Sequence, residues 1–333
     1  MSRTKVIITD LDHDNIHIET KLFQDYSIPF ELKQCKTEDE LINECQGATA
    51  FAIQYAPITK KVIESLPDLR LVVRYGVGVN TVDLEAATAY GVQICNIPDY
   101  GTHEVADHAL AMMLSLTRKI TQMNNLIRNG IWDYQKSIPV FRHSEQIIGV
   151  IGLGRIGTAF AQKAHSLGCK VIGFDLNKKQ NNRSKFVEMV SFQELIEQSD
   201  VISIHCPLET AEDLINEQQL MSMKSTAYLI NVSRGGIVNE KALDKALSEG
   251  WIAGAAVDVA KTEPIAVESP LLKHDNFLCT PHMGWYSEQS AKELKRKVAE
   301  EVIRFLQNEK VHYPVNTPNG DIIQKRNKGG FGL

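Results

Sequence analysis

Short apolar runs alternate with amphipathic segments along almost the whole chain, and this alternation predicts its fold class. In the first part, β-rich runs at 5–9, 48–54, 69–74 and 92–97 are candidate strands. Helix signals lie between them. Thr37 with Glu40 makes a capping box, and the segment from Leu84 to Tyr90 meets a stop at Gly91. A long amphipathic stretch then runs from about Thr102 to Asn129 and ends at Gly130, either a bridge between domains or a dimer contact, or else a core helix of one domain, whereas 131–145 shows no period. A second series begins at Gln146, with candidate strands at 147–151, 170–174, 201–205, 227–232, 254–259 and 277–279. Strands alternating with helices imply parallel sheets. The expected class is α/β, with two Rossmann-like or flavodoxin-like domains, the second a doubly wound sheet of six strands. A last helix spans about 287–308, and the tail from Pro314, with its Asn, Pro and Gly residues, is expected to be poorly ordered.

Charge and cysteine usage narrow the function classes. With 333 residues the chain suits two domains, and its 36 basic and 41 acidic side chains give a net charge of -5. That balance, without a basic stripe, argues against a nucleic-acid partner. The six cysteines have no metal-ligand spacing, so neither a metal site nor a disulfide framework is expected. The start MSRTKVIITD lacks a signal-like apolar region, and no run of about 18 apolar residues occurs. The reading is a cytoplasmic protein with no membrane partner.

The strongest local signal is Gly152, Gly154 and Gly157 in IIGVIGLGRIG, a GxGxxG pattern. It follows an Ile/Val strand and opens a helical segment, and Asp175 ends the next strand about twenty residues on, the context that a dinucleotide fingerprint requires. Gly152 permits a tight turn, Gly154 admits the pyrophosphate, and Gly157 lets the helix approach the strand. Arg155 and Ile156 would offer the helix N-terminus to phosphates. Asp175 would accept the ribose hydroxyls and repel a 2′-phosphate, favouring NAD over NADP; Asn177, Lys178 and Lys179 nearby would soften that preference.

Three further residues fall just past strand ends of the second series: Arg234 in INVSRGG, Glu263 in VDVAKTEP and His282 in LCTPHMG. Ligands of open α/β sheets bind at the carboxyl ends of strands. Reduction of a 2-oxo acid needs these residue types. A guanidinium grips a carboxylate and polarises a carbonyl. Histidine supplies the proton, and a neighbouring carboxylate orients it and favours its acid form.

At these residues the chain resembles the D-isomer-specific 2-hydroxyacid dehydrogenases. The likeness covers roughly 48–308 and is carried by RYGVGVNTVD at 74–83, VADHALAMML at 105–114, IGLGRIG at 151–157, NVSRGGIVNE at 231–240, AAVDVAKTEP at 255–264 and TPHMGWYSEQ at 280–289. The resemblance implies a cofactor domain at 100–286 inserted into a substrate domain made of 1–99 and 287–333. It implies that Arg234 binds substrate, Glu263 pairs with the histidine and His282 is the acid/base. Asp258 would sit near the nicotinamide, and Cys206, Pro207, Val232 and Ser233 would line the cofactor. The backbone at Val77 and Gly78 would receive the substrate carboxylate. The long helix after residue 101 would belong to a homodimer interface, which the apolar positions Val105, Ala109, Met112, Met113 and Leu116 also suggest. Arg74 with Trp285 and the residues after it is closest to the C-terminal-binding-protein branch, with Trp285 facing substrate. The expected activity is NAD-dependent, reversible reduction of a 2-oxo acid. The alternative is an NAD(H)-responsive, corepressor-like binding protein with little turnover.

Overall fold

Aliphatic runs bounded by turn residues form the strands, and the spacing of their apolar positions decides which face each helix buries. A computed structural model describes residues 5–13, 15–177, 185–320 and 322. The chain divides into two units: Met1–Tyr100 with Ser287–Leu333, and Gly101–Tyr286.

The first unit is a five-stranded parallel sheet. Its strands are β1 (Val6–Ile8), β2 (Phe30–Leu32), β3 (Ala50–Ile53), β4 (Leu71–Arg74) and β5 (Gln93–Cys95), in the order β2-β1-β3-β4-β5. Ile7, Phe51, Ile53 and Phe23 are fully buried in its core. The helix Glu288–Leu306 turns Leu294, Val298, Ala299 and Val302 inward and packs on β3, β4 and the helix His17–Asp25. β2 was missed in the sequence because it is a three-residue edge strand with no buried position, which leaves no hydrophobic run to read.

The second unit is a seven-stranded parallel sheet: β6 (Ile147–Ile151), β7 (Lys170–Phe174), β8 (Val187–Met189), β9 (Val201–Ile204), β10 (Tyr228–Asn231), β11 (Gly254–Val257) and β12 (Phe277–Cys279). The order β12-β11-β10-β9-β6-β7-β8 is the dinucleotide-binding order with one strand added, and it reverses between β6 and β9. Six strands were expected; the seventh, β8, is another short edge strand with a single buried residue.

Two other expectations need correction. The stretch 102–129 is not one helix. Lys119 takes a left-handed conformation, φ 54°, and separates Thr102–Thr117 from Ile120–Arg128. Ala109, Met112, Met113 and Leu116 are buried in this unit's own core with Ile148, Val150 and Ile230, and Val105 packs against them. Their apolar excess therefore carries no information about a second subunit. The tail also begins in order. Pro314 bridges Cys95, the Val315 N–H donates to the Ile94 carbonyl at 2.8 Å, and Asn316 is buried. Residue 321 and those from 323 on lie outside the described residues. Among the described residues, no helix is long and apolar enough to cross a membrane.

Asn316 is the latch of this segment. Its Oδ1 accepts the Ile94 N–H at 2.7 Å, and its Nδ2 donates to the Val92 carbonyl at 2.9 Å and to Thr88 Oγ1 at 3.1 Å. Asn316→Ala strands a buried N–H and carbonyl and is expected to lower stability by about 1–3 kcal/mol. Urea unfolding followed by circular dichroism checks this; an unchanged midpoint would show that the latch is dispensable.

Candidate active site

The glycine loop is shaped by close approach. Gly152 follows β6 with φ 89°, and a Cβ there would lie 2.8 Å from the His205 carbonyl carbon and oxygen. A Cβ on Gly157 would lie 1.9 Å from the Gly152 oxygen, so the helix Arg155–Ser166 can start only with glycine at that place. Gly154 differs: a Cβ there meets nothing within 4 Å. It is the N-cap of this helix and makes no side-chain cap hydrogen bond. Open space before an uncapped helix N-terminus, beside Arg155 and Ile156, fits a pyrophosphate.

Asp175 closes the loop. Its Oδ2 accepts the Leu153 N–H and its Oδ1 accepts the Asn177 N–H, both at 2.7 Å. Each oxygen keeps acceptor capacity for a ribose hydroxyl. Lys178 and Lys179 lie outside the described residues. Cys206 and Pro207 follow β9 across the switch point. Burial, with the Asp175 charge adding to it, pushes the Cys206 thiol up to about 11, which favours the neutral thiol. These residues fit a dinucleotide.

The loop after β10 holds Arg234. Buried Asn231 donates from Nδ2 to the Arg234 carbonyl at 2.9 Å and accepts the Ser233 N–H at 3.1 Å. Ser233 Oγ donates to the Ile204 carbonyl of β9, and Val232 packs beneath. Arg234 Nη1 donates to the Ser233 carbonyl at 2.7 Å. The loops after β10 and β11 touch backbone to backbone, since a Cβ on Gly235 would sit 1.9 Å from the Ala260 oxygen.

Glu263 and His282 meet directly. His282 Nδ1 lies 2.7 Å from Glu263 Oε2, while Glu263 Oε1 accepts the Ala260 N–H at 3.0 Å. Burial would raise the Glu263 carboxyl. The hydrogen bond and charge of His282, the Ala260 N–H and the Arg234 charge outweigh burial and hold it below the usual range. An ionised carboxylate on Nδ1 makes that nitrogen the protonated one and directs Nε2 outward as the exchanging atom.

His282 has φ 52°, and Asp258 holds it there. The Asp258 carbonyl accepts the His282 N–H at 2.9 Å. Its Oδ1 accepts from Thr280 Oγ1 at 2.6 Å and from the Met283 N–H at 3.0 Å, and its Oδ2 accepts the Gly284 N–H at 2.8 Å. His108 Nε2 completes the cluster, 2.9 Å from Thr280 Oγ1 and 3.4 Å from Asp258 Oδ1.

Gly152, Asp175, Arg234, Asp258, Glu263 and His282 therefore belong to one unit, and all sit past the carboxyl ends of its strands. Trp285 belongs to the same unit, edge-on to Tyr286 with ring centres 5.6 Å apart. Arg74, Val77 and Gly78 belong to the first unit, past β4. There the Arg74 guanidinium covers Gly76, and the Val77 carbonyl accepts from Asn96 Nδ2 at 2.6 Å. Asn231, His108 and Thr280 were missed as site residues. His108 had a signal, as a polar residue on the buried face of an apolar helix. Asn231 and Thr280 had none beyond lying in the motifs.

The model of the D-isomer specific 2-hydroxyacid dehydrogenase, NAD binding domain, matches residues 110–284. The chain is 34% identical over 318 residues to a glyoxylate reductase of Korarchaeum cryptofilum, covering 94% of this chain and 93% of that protein. It is 34% identical over 319 residues to a D-3-phosphoglycerate dehydrogenase of Methanocaldococcus jannaschii, covering 95% of this chain and 60% of that one. Its fold is similar to the D-lactate dehydrogenase of Aquifex aeolicus complexed with NAD and lactic acid, with a TM-score of 0.86 and 26% identity over 94% of this chain and 100% of that one.

The glycines give a paired test. Gly157→Ala drives a methyl into backbone and is expected to destabilise by about 3 kcal/mol or to block folding. Gly154→Ala meets open space and is expected to change stability by less than about 0.5 kcal/mol, yet to weaken NADH binding about tenfold or more. Urea unfolding and NADH fluorescence titration separate the two. Normal NADH affinity in Gly154→Ala would remove the phosphates from this loop.

Proposed function

This chain belongs to the D-isomer-specific 2-hydroxyacid dehydrogenase family, and from that premise we propose that it reduces small 2-oxo acids to D-2-hydroxy acids with His282 as proton donor. It is an NAD-dependent enzyme. The observation that carries the finer reading is the 2.7 Å contact of His282 with Glu263, on the sheet that also bears the glycine loop.

Gly152, Gly154, Arg155, Ile156, Gly157 and Asp175 hold the cofactor, with Cys206, Pro207, Val232 and Ser233 beside it. Bound NADH supplies the hydride. A guanidinium has five N–H donors, so Arg234 can hold the Ser233 carbonyl and still grip a substrate carboxylate. His282 donates from Nε2 to the carbonyl oxygen as it becomes an alkoxide. Glu263 stabilises the imidazolium and fixes the ring. The side chain of His282 is 39% exposed, so solvent returns its proton after turnover. Asp175 sets a preference for NADH, because its carboxylate repels a 2′-phosphate. Asp258 serves as a positioning residue, since its oxygens are engaged by the His282 loop. The substrate class rests on Arg234 and on the kinship with enzymes of small 2-oxo acids.

A homodimer is part of this reading, but on a surface other than the buried face of the helix Thr102–Thr117. Ile120, Ile127, Ile131, Trp132, Tyr134 and Ile138 are all exposed on one stretch of chain, with Trp132 at 87%. Such a run of bare apolar side chains marks an interface. Light scattering at micromolar concentration is expected to give a dimer, and Trp132→Glu to shift it toward monomer; a monomeric parent protein refutes this.

The activity test is loss of NADH absorbance with glyoxylate, hydroxypyruvate and larger 2-oxo acids. His282→Ala is expected to lose at least about a hundredfold in kcat while still binding NADH. Glu263→Gln removes the charge that favours the imidazolium. The alkaline limb of reduction should therefore move to lower pH, and the oxidation profile should extend to lower pH. Unchanged profiles would break the pairing. NADH binding without turnover of any 2-oxo acid would favour a binding protein instead.

A further inference from the structure

Glu19 is a buried carboxyl in the first unit that the proposed reduction does not use. It stands in the first turn of the helix His17–Asp25, is 0% exposed, and its Oε2 has no hydrogen-bond partner among the described residues. Its Oε1 accepts the Tyr75 hydroxyl at 3.0 Å. Tyr75, itself buried, follows β4 and opens the loop that runs through Gly78. We propose that Glu19 is a positioning residue for substrate: it holds the Tyr75 side chain and thereby sets the backbone of residues 76–78. The proposal rests on the reading of this chain as a 2-oxo acid reductase in which the N–H groups of Val77 and Gly78 take the substrate carboxylate.

The surroundings of the pair argue for direction and not for stability. Burial outweighs the backbone N–H of Glu19, the Tyr75 bond and the Lys295 charge, so the carboxyl is raised and its neutral form is favoured. A buried acid with one of its two oxygens unengaged adds little to folding, since apolar side chains of like shape fill such a space at no greater cost. What the pair supplies is a fixed point. Behind Glu19, buried Lys295 of the helix Glu288–Leu306 donates from Nζ to the Asn15 carbonyl at 2.7 Å, which ties down the approach to His17–Asp25. Beside Tyr75, the His13 ring stands edge-on with ring centres 6.0 Å apart.

The loop needs such a point. Gly76 has φ 127°, and Gly78 follows two residues later, so this backbone has a wide range of conformations open to it. Its acceptors are already engaged. The Gly76 carbonyl accepts the Ile97 N–H at 3.0 Å, and Asn96 Nδ2 holds the Val77 carbonyl. The N–H groups of Val77 and Gly78 donate to nothing among the described residues, which leaves two neighbouring donors available to an anion. Tyr75 is the residue at the root of that pair. Its N–H donates to the Ile53 carbonyl at 2.7 Å, and Glu19 fixes its other end. A Tyr75 ring released from Glu19 can shift, and both donors shift with it.

The test uses the full chain with NADH and two readouts: the KM of glyoxylate, and the Kd of oxamate, a non-reacting carboxylate, from NADH fluorescence. Tyr75→Phe and Glu19→Met each remove the contact. Each is expected to raise both constants about tenfold, with kcat within about twofold and NADH affinity unchanged. The double variant should be no worse than either single one, because all three delete the same bond. Glu19→Gln keeps an acceptor for the Tyr75 hydroxyl and should retain the parent constants, even though its buried amide lowers the urea midpoint. A merely structural Glu19 would give the opposite ranking, with Gln the impaired variant. Tyr75→Phe decides alone if Glu19→Met does not fold. The proposal is overturned if removing the contact leaves both constants unchanged, if NADH affinity falls in step with them, or if Glu19→Gln is impaired as Glu19→Met is. Oxamate binding needs no turnover. A parent protein that binds oxamate but reduces no 2-oxo acid refutes the reductase, and the Kd series then decides the role of Glu19 by itself; a parent that does neither overturns both.

Discussion

The buried carboxylate of Asp258 is the constraint on which the rest of the site depends. Val257 and Val259 on either side of it are buried, so the strand's alternation sends Asp258 the other way, into the turn after β12. At 3% exposure, a lone carboxylate there would be costly. Burial alone would raise its pKa. His108, Thr280 and the N–H groups of Gly284 and Met283 more than offset that and hold it below the usual carboxylate range. The charge is thus satisfied only if residues 280–284 fold around it, and this brings the backbone to the positive φ of His282. Gly284 answers the same demand, because a Cβ there would lie 2.8 Å from Asp258 Oδ2. One buried anion therefore sets the position of a half-exposed histidine.

From that anchor the loops lock in series. The Arg234 loop is tied by Asn231 and pressed through Gly235 onto Ala260. Ala260 in turn donates its N–H to Glu263, and Glu263 meets His282. Contacts between main chains dominate this series, so small residues occur where volume is forbidden rather than where flexibility is wanted. Gly157 against Gly152 follows the same rule in the loop after β6. Only Gly154 among these glycines faces space that the protein does not fill, so packing does not require a glycine there, whereas the proposed cofactor would.

Much of this was legible in the chain, and the gaps have physical causes. Buried parallel strands read clearly because both faces are apolar; 147–151 and 170–174 coincide with β6 and β7, and the edge strand β12 was legible at 277–279 only because its Phe-Leu-Cys run is wholly apolar, though none of it is fully buried. β2 and β8 left no trace because short edge strands have little to bury. The break at Lys119 was invisible because a left-handed lysine carries no glycine-like signature and the apolar period continues across it. The ordered start of the tail was missed because Asn316, which composition assigns to a loop, makes its bonds to β5 and its flanks, over two hundred positions away. Within the site, strand ends and motifs placed Arg234, Glu263 and His282 past β10, β11 and β12. The supports Asn231, Thr280 and His108 depend on register between elements, and no local pattern encodes that.

Exposure decides what the Glu263–His282 pair can do by itself. The two side chains are 40% and 39% exposed. Water screens a pair this open, so its attraction contributes little to folding. Its value lies in direction. The 2.7 Å contact fixes the ring and commits Nδ1, while the turn around Asp258 fixes the backbone. Neither contact has to supply much energy while the site is open to solvent. A ligand that covers His282 removes the screening, and the same carboxylate then acts on the imidazolium at a lower effective dielectric. In the proposed role of His282, the orienting contact is thus strongest when substrate covers the pair. A fully buried pair would lack that dependence on occupancy.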